Sequence, residues 1–151
     1  MLTLADAIGK YGPIELGKWT REIECATVII IPDDIAAGWI KTATGNPTKH
    51  VYGNKDLQSP LLTALDNIKQ RGLLSELKTF DGCLEIRDVR GDPGNYSAHS
   101  WGLAIDINAS ENRLGQKTLM TLPFSQCWKD AGFRWGAEFH RCDSMHYTLG
   151  W

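Results

Sequence analysis

Leu103-Ala-Ile-Asp-Ile-Asn108 alternates over six positions, with Leu103, Ile105 and Ile107 on one side and Ala104, Asp106 and Asn108 on the other. A period of two marks a strand with one face against a core, so the chain must build a sheet around this segment. The alternation sends Asp106 away from the apolar face. Ala104 shares the aspartate's face and is small, which leaves room above the strand. Gly102 permits a sharp turn, so the chain can double back and set His99 beside the Asp106 carboxylate.

Around that strand the sequence predicts a mixed architecture. Thr3 can cap a short helix through Gly9, broken at Gly12-Pro13. Ala26–Ile31 is rich in β-branched residues and reads as a buried strand. Pro32-Asp33-Asp34 opens a short helix with Ile35, Trp39 and Ile40 on one side. Residues 43–58 are polar and turn-rich and read as a surface loop. Ser59 as N-cap, Pro60, and Leu61, Leu62, Leu65 and Ile68 at helical spacing define a helix that Gly72 can end. Cys83–Val89 is strand-like, with Glu85 and Arg87 on its polar face; Pro123–Ala131 reads as a helix and Met145–Leu149 as a last strand. The expected class is α+β, with helices mainly in the N-terminal half packed on a small, mostly antiparallel sheet.

With 151 residues and neither repeat nor linker, the chain is expected to be a single domain over 1–151. A chain this long can bury a core without metal staples, so a metal here would serve chemistry rather than folding. The formal net charge of -2 argues against nucleic acid as a partner. Neither a basic n-region nor a long apolar stretch follows Met1, so accumulation in the cytoplasm is expected. Cys25, Cys83, Cys127 and Cys142 should then be thiols.

A second cluster, Cys142-Asp143-Ser144-Met145-His146-Tyr147, ends the chain's chemistry. Zinc in hydrolases takes three N or O ligands and leaves a fourth position for water. His99, Asp106 and His146 meet that need. Asp143, a carboxylate near the metal but not bound to it, can take the proton of the attacking water. A lone histidine such as His50 or His140 is instead read as an ordinary hydrogen-bonded residue.

Ser97-x-His99-x-x-Gly102-x-Ala104-x-Asp106, followed by Asp143-x-x-His146, resembles the M15 family of zinc peptidases. That family contains D-alanyl-D-alanine carboxypeptidases and dipeptidases, and the L-alanyl-D-glutamate endopeptidases of bacteriophage endolysins. His99–Asn108, and Phe133-Arg-Trp-Gly136 ahead of Asp143, are similar to the phage-type branch. The similarity runs from about Gly82 to Tyr147. The resemblance implies Zn2+ held by His99, Asp106 and His146, with Asp143 as base where many relatives carry Glu. It also implies an upstream arginine at the substrate carbonyl: Arg87, with Arg90 as the alternative. Ser97 would donate to Asp106 or to substrate, or simply form the turn. Phage relatives often continue Met-His-Phe-Glu, whereas here Tyr147-Thr148 follow His146.

The implied activity is hydrolysis of the peptidoglycan stem peptide by a phage endolysin. The family commonly carries a separate wall-binding domain, for which this chain is expected to have no room; a monomer without membrane insertion is expected, with a holin needed to reach the wall. The alternative is trimming of the D-Ala-D-Ala terminus. Two other classes compete: a cysteine peptidase with a thiol activated by His99 or His140, and a zinc-stabilised interaction module using Cys127, His140, Cys142 and His146. Trp101 and Trp135, which flank the metal motifs, could be site wall or packing.

Overall fold

The computed structural model describes residues 3–15 and 24–150. Helix α1 (Leu4–Tyr11) starts at a capping box: Thr3 Oγ1 accepts from the Asp6 amide at 3.1 Å, and the Asp6 carboxylate accepts from the Thr3 amide at 2.8 Å. Strand β1 (Ala26–Ile30) then pairs antiparallel with β3 (His50–Asn54), placing Ile29 opposite Val51. Two expectations change here. β1 is not buried throughout, since Val28 and Ile30 are 54% and 70% exposed: a two-stranded sheet has only one face covered. The segment read as loop contains β3. Its polar, turn-forming residues hide a short strand that pairing with β1 and burial of Val51 stabilise.

The short helix α2 (Asp33–Ala36) buries Ile35, and Trp39 follows it into the core before β2 (Ile40–Lys41). Helix α3 (Gln58–Gln70) is not capped by Ser59. It continues from a 3-10 turn, Lys55–Leu57, whose cap is Asn54 accepting from the Asp56 amide at 2.9 Å. Leu61, Leu65 and Ile68 are fully buried as the spacing predicted, and Gly72 is left-handed (φ 70°).

The second half supplies the sheet that carries the site. Strands β4 (Thr79–Gly82), β7 (Ala104–Ile107), β8 (Arg134–Trp135) and β9 (His146–Thr148) join β2 in the order β2-β4-β7-β9-β8. Only β2 and β4 run parallel. A hairpin of β5 (Asp88–Val89) and β6 (Asp92–Tyr96) stands apart. Helix α4 (Leu122–Asp130), capped by Thr121, buries Phe124, Cys127 and Trp128 and lies against α3, where Asn67 Nδ2 donates to the Cys127 carbonyl at 3.2 Å. The class is α+β with small, largely antiparallel sheets. Among the described residues three of the four α-helices precede residue 71, and α4 is the exception.

Cys83–Val89 does not form one strand. Within residues 83–87 the backbone bonds to the turn that follows β6: the Glu85 amide donates to the His99 carbonyl at 3.1 Å, and the Ser97 amide to the Arg87 carbonyl at 3.0 Å. This stretch therefore braces the site instead of extending the sheet.

Two apolar clusters share the interior. The larger joins α3 and α4 to the sheet through Ile105, Ile107, Trp128 and Tyr147. The smaller holds Ala7 of α1 against Ala98, Trp101, Leu103 and Ala104. Leu103 thus packs with Ala104 rather than with Ile105 and Ile107, because β7 begins only after it. Among the described residues no helix is long and apolar enough to cross a membrane.

Candidate metal centre

The site is assembled by one strand pairing and two turns. Asp106 on β7 and His146 on β9 are direct register partners, so their side chains rise from the same face as cross-strand neighbours. On the other side Asp106 pairs with Gly82 of β4, where an added Cβ would meet nothing within 4 Å. The room above the aspartate therefore lies over Gly82. Ala104, expected to provide it, is fully buried under the His99 turn.

His99 arrives on a 3-10 turn, Ala98–Trp101, that ends at left-handed Gly102 (φ 66°). A side chain at 102 would also lie 2.7 Å from the Asn54 amide nitrogen, so both conformation and space demand glycine there. Ser97 caps this turn, its Oγ accepting from the His99 amide at 3.4 Å. Of the roles open to Ser97, the structure shows the turn-forming one; its recorded bond is to the His99 amide and not to Asp106.

The three side chains converge. His146 Nδ1 lies 3.0 Å from Asp106 Oδ1 and 3.1 Å from His99 Nε2, and His99 Nε2 lies 3.3 Å from Asp106 Oδ1. Tetrahedral zinc, with ligand bonds near 2.0–2.2 Å, sets its ligand atoms roughly 3.4 Å apart. The triad fits that spacing with a slight outward adjustment. The orientation of His99 fits as well: Nδ1 donates to the Cys83 carbonyl at 2.6 Å, which leaves Nε2 as a lone pair aimed at the centre. A nitrogen lone pair, a carboxylate oxygen and a second imidazole nitrogen directed at one point form a donor set for a cation. Among the described residues this is the group that could hold a metal. Burial acts to raise the Asp106 pKa, yet the adjoining imidazoles of His146 and then His99 outweigh it and hold the carboxyl well below the usual carboxylate range.

Asp143 stands next to the triad in a tight turn. The His146 amide donates to the Asp143 carbonyl at 3.0 Å, so the Asp-x-x-His spacing is one β-turn leading into β9. Asp143 Oδ1 is buried without a hydrogen-bond partner. Burial raises the Asp143 pKa, with His146, Arg90 and His99 pulling it down and Asp106 pushing it up.

Asp143, Asp106 and His146 line a cleft of about 870 Å³. Arg87 and Arg90 line it too. Arg87 does not share a strand with Glu85, but the two side chains pair, Nε donating to Glu85 Oε2 at 3.0 Å, while Nη1 reaches the Asp88 carbonyl at 3.4 Å. Arg90 is more exposed, and its charge acts on Asp143.

The roles of some site residues escape a reading of the sequence. The Cys83 carbonyl that fixes His99 is a backbone group, and no residue pattern announces it. Gly136 is required because a Cβ there would collide with the Asp143 carbonyl. Arg134, Phe139 and Arg141 line the cleft. The one signal for them is the run of basic and aromatic residues just before Asp143.

The competing sets are not assembled. The thiols are free as expected, but Cys127 Sγ bonds the Pro123 carbonyl and Cys142 Sγ the Gln116 carbonyl, away from any shared centre. Burial raises the Cys83 and Cys127 pKa values, opposite to what a nucleophile needs. Trp101 and Trp135 are buried, and their indole N–H groups donate to Gly12 and Ser144 carbonyls, so they are packing residues.

Residues 90–149 match the family model described as D-alanyl-D-alanine carboxypeptidase, one of the M15 peptidases. The matched segment contains His99, Asp106, Asp143 and His146. The match spans less than half of the chain, and it is this segment that is similar to the M15 peptidases. Neither a curated protein nor a solved structure matches the chain.

Proposed function

We propose that the protein is a zinc peptidase of the peptidoglycan stem peptide, acting as an endolysin-type L-alanyl-D-glutamate endopeptidase. The observation that carries the peptidase reading is the convergence of His99, Asp106 and His146 beside the unpartnered, buried Asp143 oxygen. Zinc held by the three would supply a Lewis acid and bring the pKa of a water toward neutrality.

The chain's own groups supply the rest. Asp143 accepts the proton of the attacking water and returns it to the leaving amine, which its oxygen can do because no protein donor occupies it. Arg87, held in place by Glu85 and the Asp88 carbonyl, faces the oxyanion that develops on the peptide carbonyl. Cys83 keeps the His99 ring in the tautomer that ligation requires.

A second reading, D-alanyl-D-alanine carboxypeptidase, is favoured by the description of the matching family. Mass analysis of fragments from zinc-dependent digestion of purified sacculi separates the two. New L-alanyl termini and D-glutamyl amino termini support the endopeptidase; release of D-alanine alone supports trimming. No release with zinc present overturns both. In the endolysin reading the protein is a monomer that waits in the host cytoplasm for a holin to open the membrane.

A further inference from the structure

Four of the seven arginines, Arg87, Arg90, Arg134 and Arg141, line this one cleft, in a chain of net charge -2. The mechanism above uses Arg87, and the charge of Arg90 acts on Asp143; both come from the β5 side. Arg134 and Arg141 come from β8 and from the loop before Asp143, and nothing so far assigns them a role. Both are exposed, and among the described residues neither has a carboxylate partner in an ion pair or hydrogen bond. Glu138, which lines the same cleft, pairs with Lys129 at 2.5 Å.

Arg134 is held in place without being neutralised. Its guanidinium lies 5.1 Å from the centre of the Phe139 ring, and that ring is 6.0 Å from the His146 ring. Stacking fixes a guanidinium while leaving its N–H fork free. An extended peptide advances about 3.3 Å per residue, so the distance from His146 to Arg134 spans no more than about three residues.

We propose that Arg134 and Arg141 form an anion subsite that reads a free carboxylate of the substrate within about three residues of the scissile bond. This deepens the peptidase reading and rests on it for the word scissile; the charge chemistry stands on its own. Arginine pairs with carboxylate through two parallel N–H···O bonds, so the subsite selects acidic over amidated peptides.

The test uses acetyl-L-alanyl-D-glutamyl-L-alanine as the free acid, with the glutamyl carboxyl amidated, and with the terminal carboxyl amidated. Binding of each to the full-length, metal-free protein is measured by calorimetry. Zinc-loaded protein is assayed for cleavage in parallel. Amidation of one carboxyl should weaken binding about tenfold to hundredfold, and which amide does so identifies the carboxylate that is read. Arg134→Gln and Arg141→Gln should each shrink that ratio toward one, and Arg134→Lys should restore part of it. Equal binding of acid and amides, or a ratio untouched in both glutamine variants, overturns the subsite. If zinc-loaded protein cleaves acid and amides alike, the subsite falls and the peptidase reading stands. Carboxylate discrimination without any cleavage of stem peptide leaves the subsite and removes the peptidase reading.

Discussion

Gly136 and Asp143 meet backbone to backbone. The Asp143 amide donates to the Gly136 carbonyl at 2.9 Å, and a methyl group on Gly136 would collide with the Asp143 carbonyl. That carbonyl in turn accepts from the His146 amide, so one glycine sets the placement of both the base and a metal ligand. Gly136→Ala must push the 143–146 turn outward. Overpacking of this kind destabilises by about 1–3 kcal/mol, or roughly 2–12 °C in Tm for a domain of this size. Zinc binding and turnover should both fall. A variant with unchanged melting and activity would show that the turn is not held by this contact.

Asp143 and His99 should separate base from ligand. Asp143→Ala should bind zinc one to one and lose about 10²–10⁴ in kcat, the range of a positioned proton-transfer group. His99→Ala should lose both zinc and activity, since it removes one of the three convergent atoms. Metal content by mass spectrometry alongside turnover reads the difference. Wild-type turnover in Asp143→Ala would remove the base assignment.

These assignments show what local pattern can and cannot reveal. Asp106 was legible because strand alternation needs only neighbours in sequence, and Gly102 because its turn is local. The direct pairing of Asp106 with His146 was not, since register between β7 and β9 is a tertiary choice. The same limit hid β3, whose polar residues look like loop until β1 lies beside them. It also made Cys83–Val89 look like a strand: Leu84 to Arg87 alternate properly, yet the backbone of Glu85 and Arg87 is claimed by the 97–100 turn. Ser97 read equally well as donor or cap, and the structure shows the cap, its Oγ accepting from the His99 amide.

The acid limb of the pH profile should report Asp143. A general base works ionised, so activity falls as pH drops through its pKa. Burial raises that pKa above the ordinary aspartate value of about 3.9, while Arg90 is among the charges pulling it down. Arg90→Gln removes a lowering charge, so the acid limb of kcat/KM should move to higher pH. A limb that stays in place or moves down contradicts the assignment.

Metal removal should stop catalysis without unfolding the protein. The larger core joins α3, α4 and the sheet through residues such as Leu61, Leu65, Ile107 and Trp128, none of which is one of the three donor residues. The fold therefore has its own source of stability, unlike a zinc finger, in which metal binding is folding. Zinc at a hundred times its Kd adds about 2.7 kcal/mol, so chelation should lower Tm by roughly 5–10 °C. The far-UV circular dichroism and a single cooperative transition should persist, and activity should return when zinc is restored. Complete loss of the transition on chelation would instead make the metal structural, and the zinc-stabilised module would become the better account of His99, Asp106 and His146.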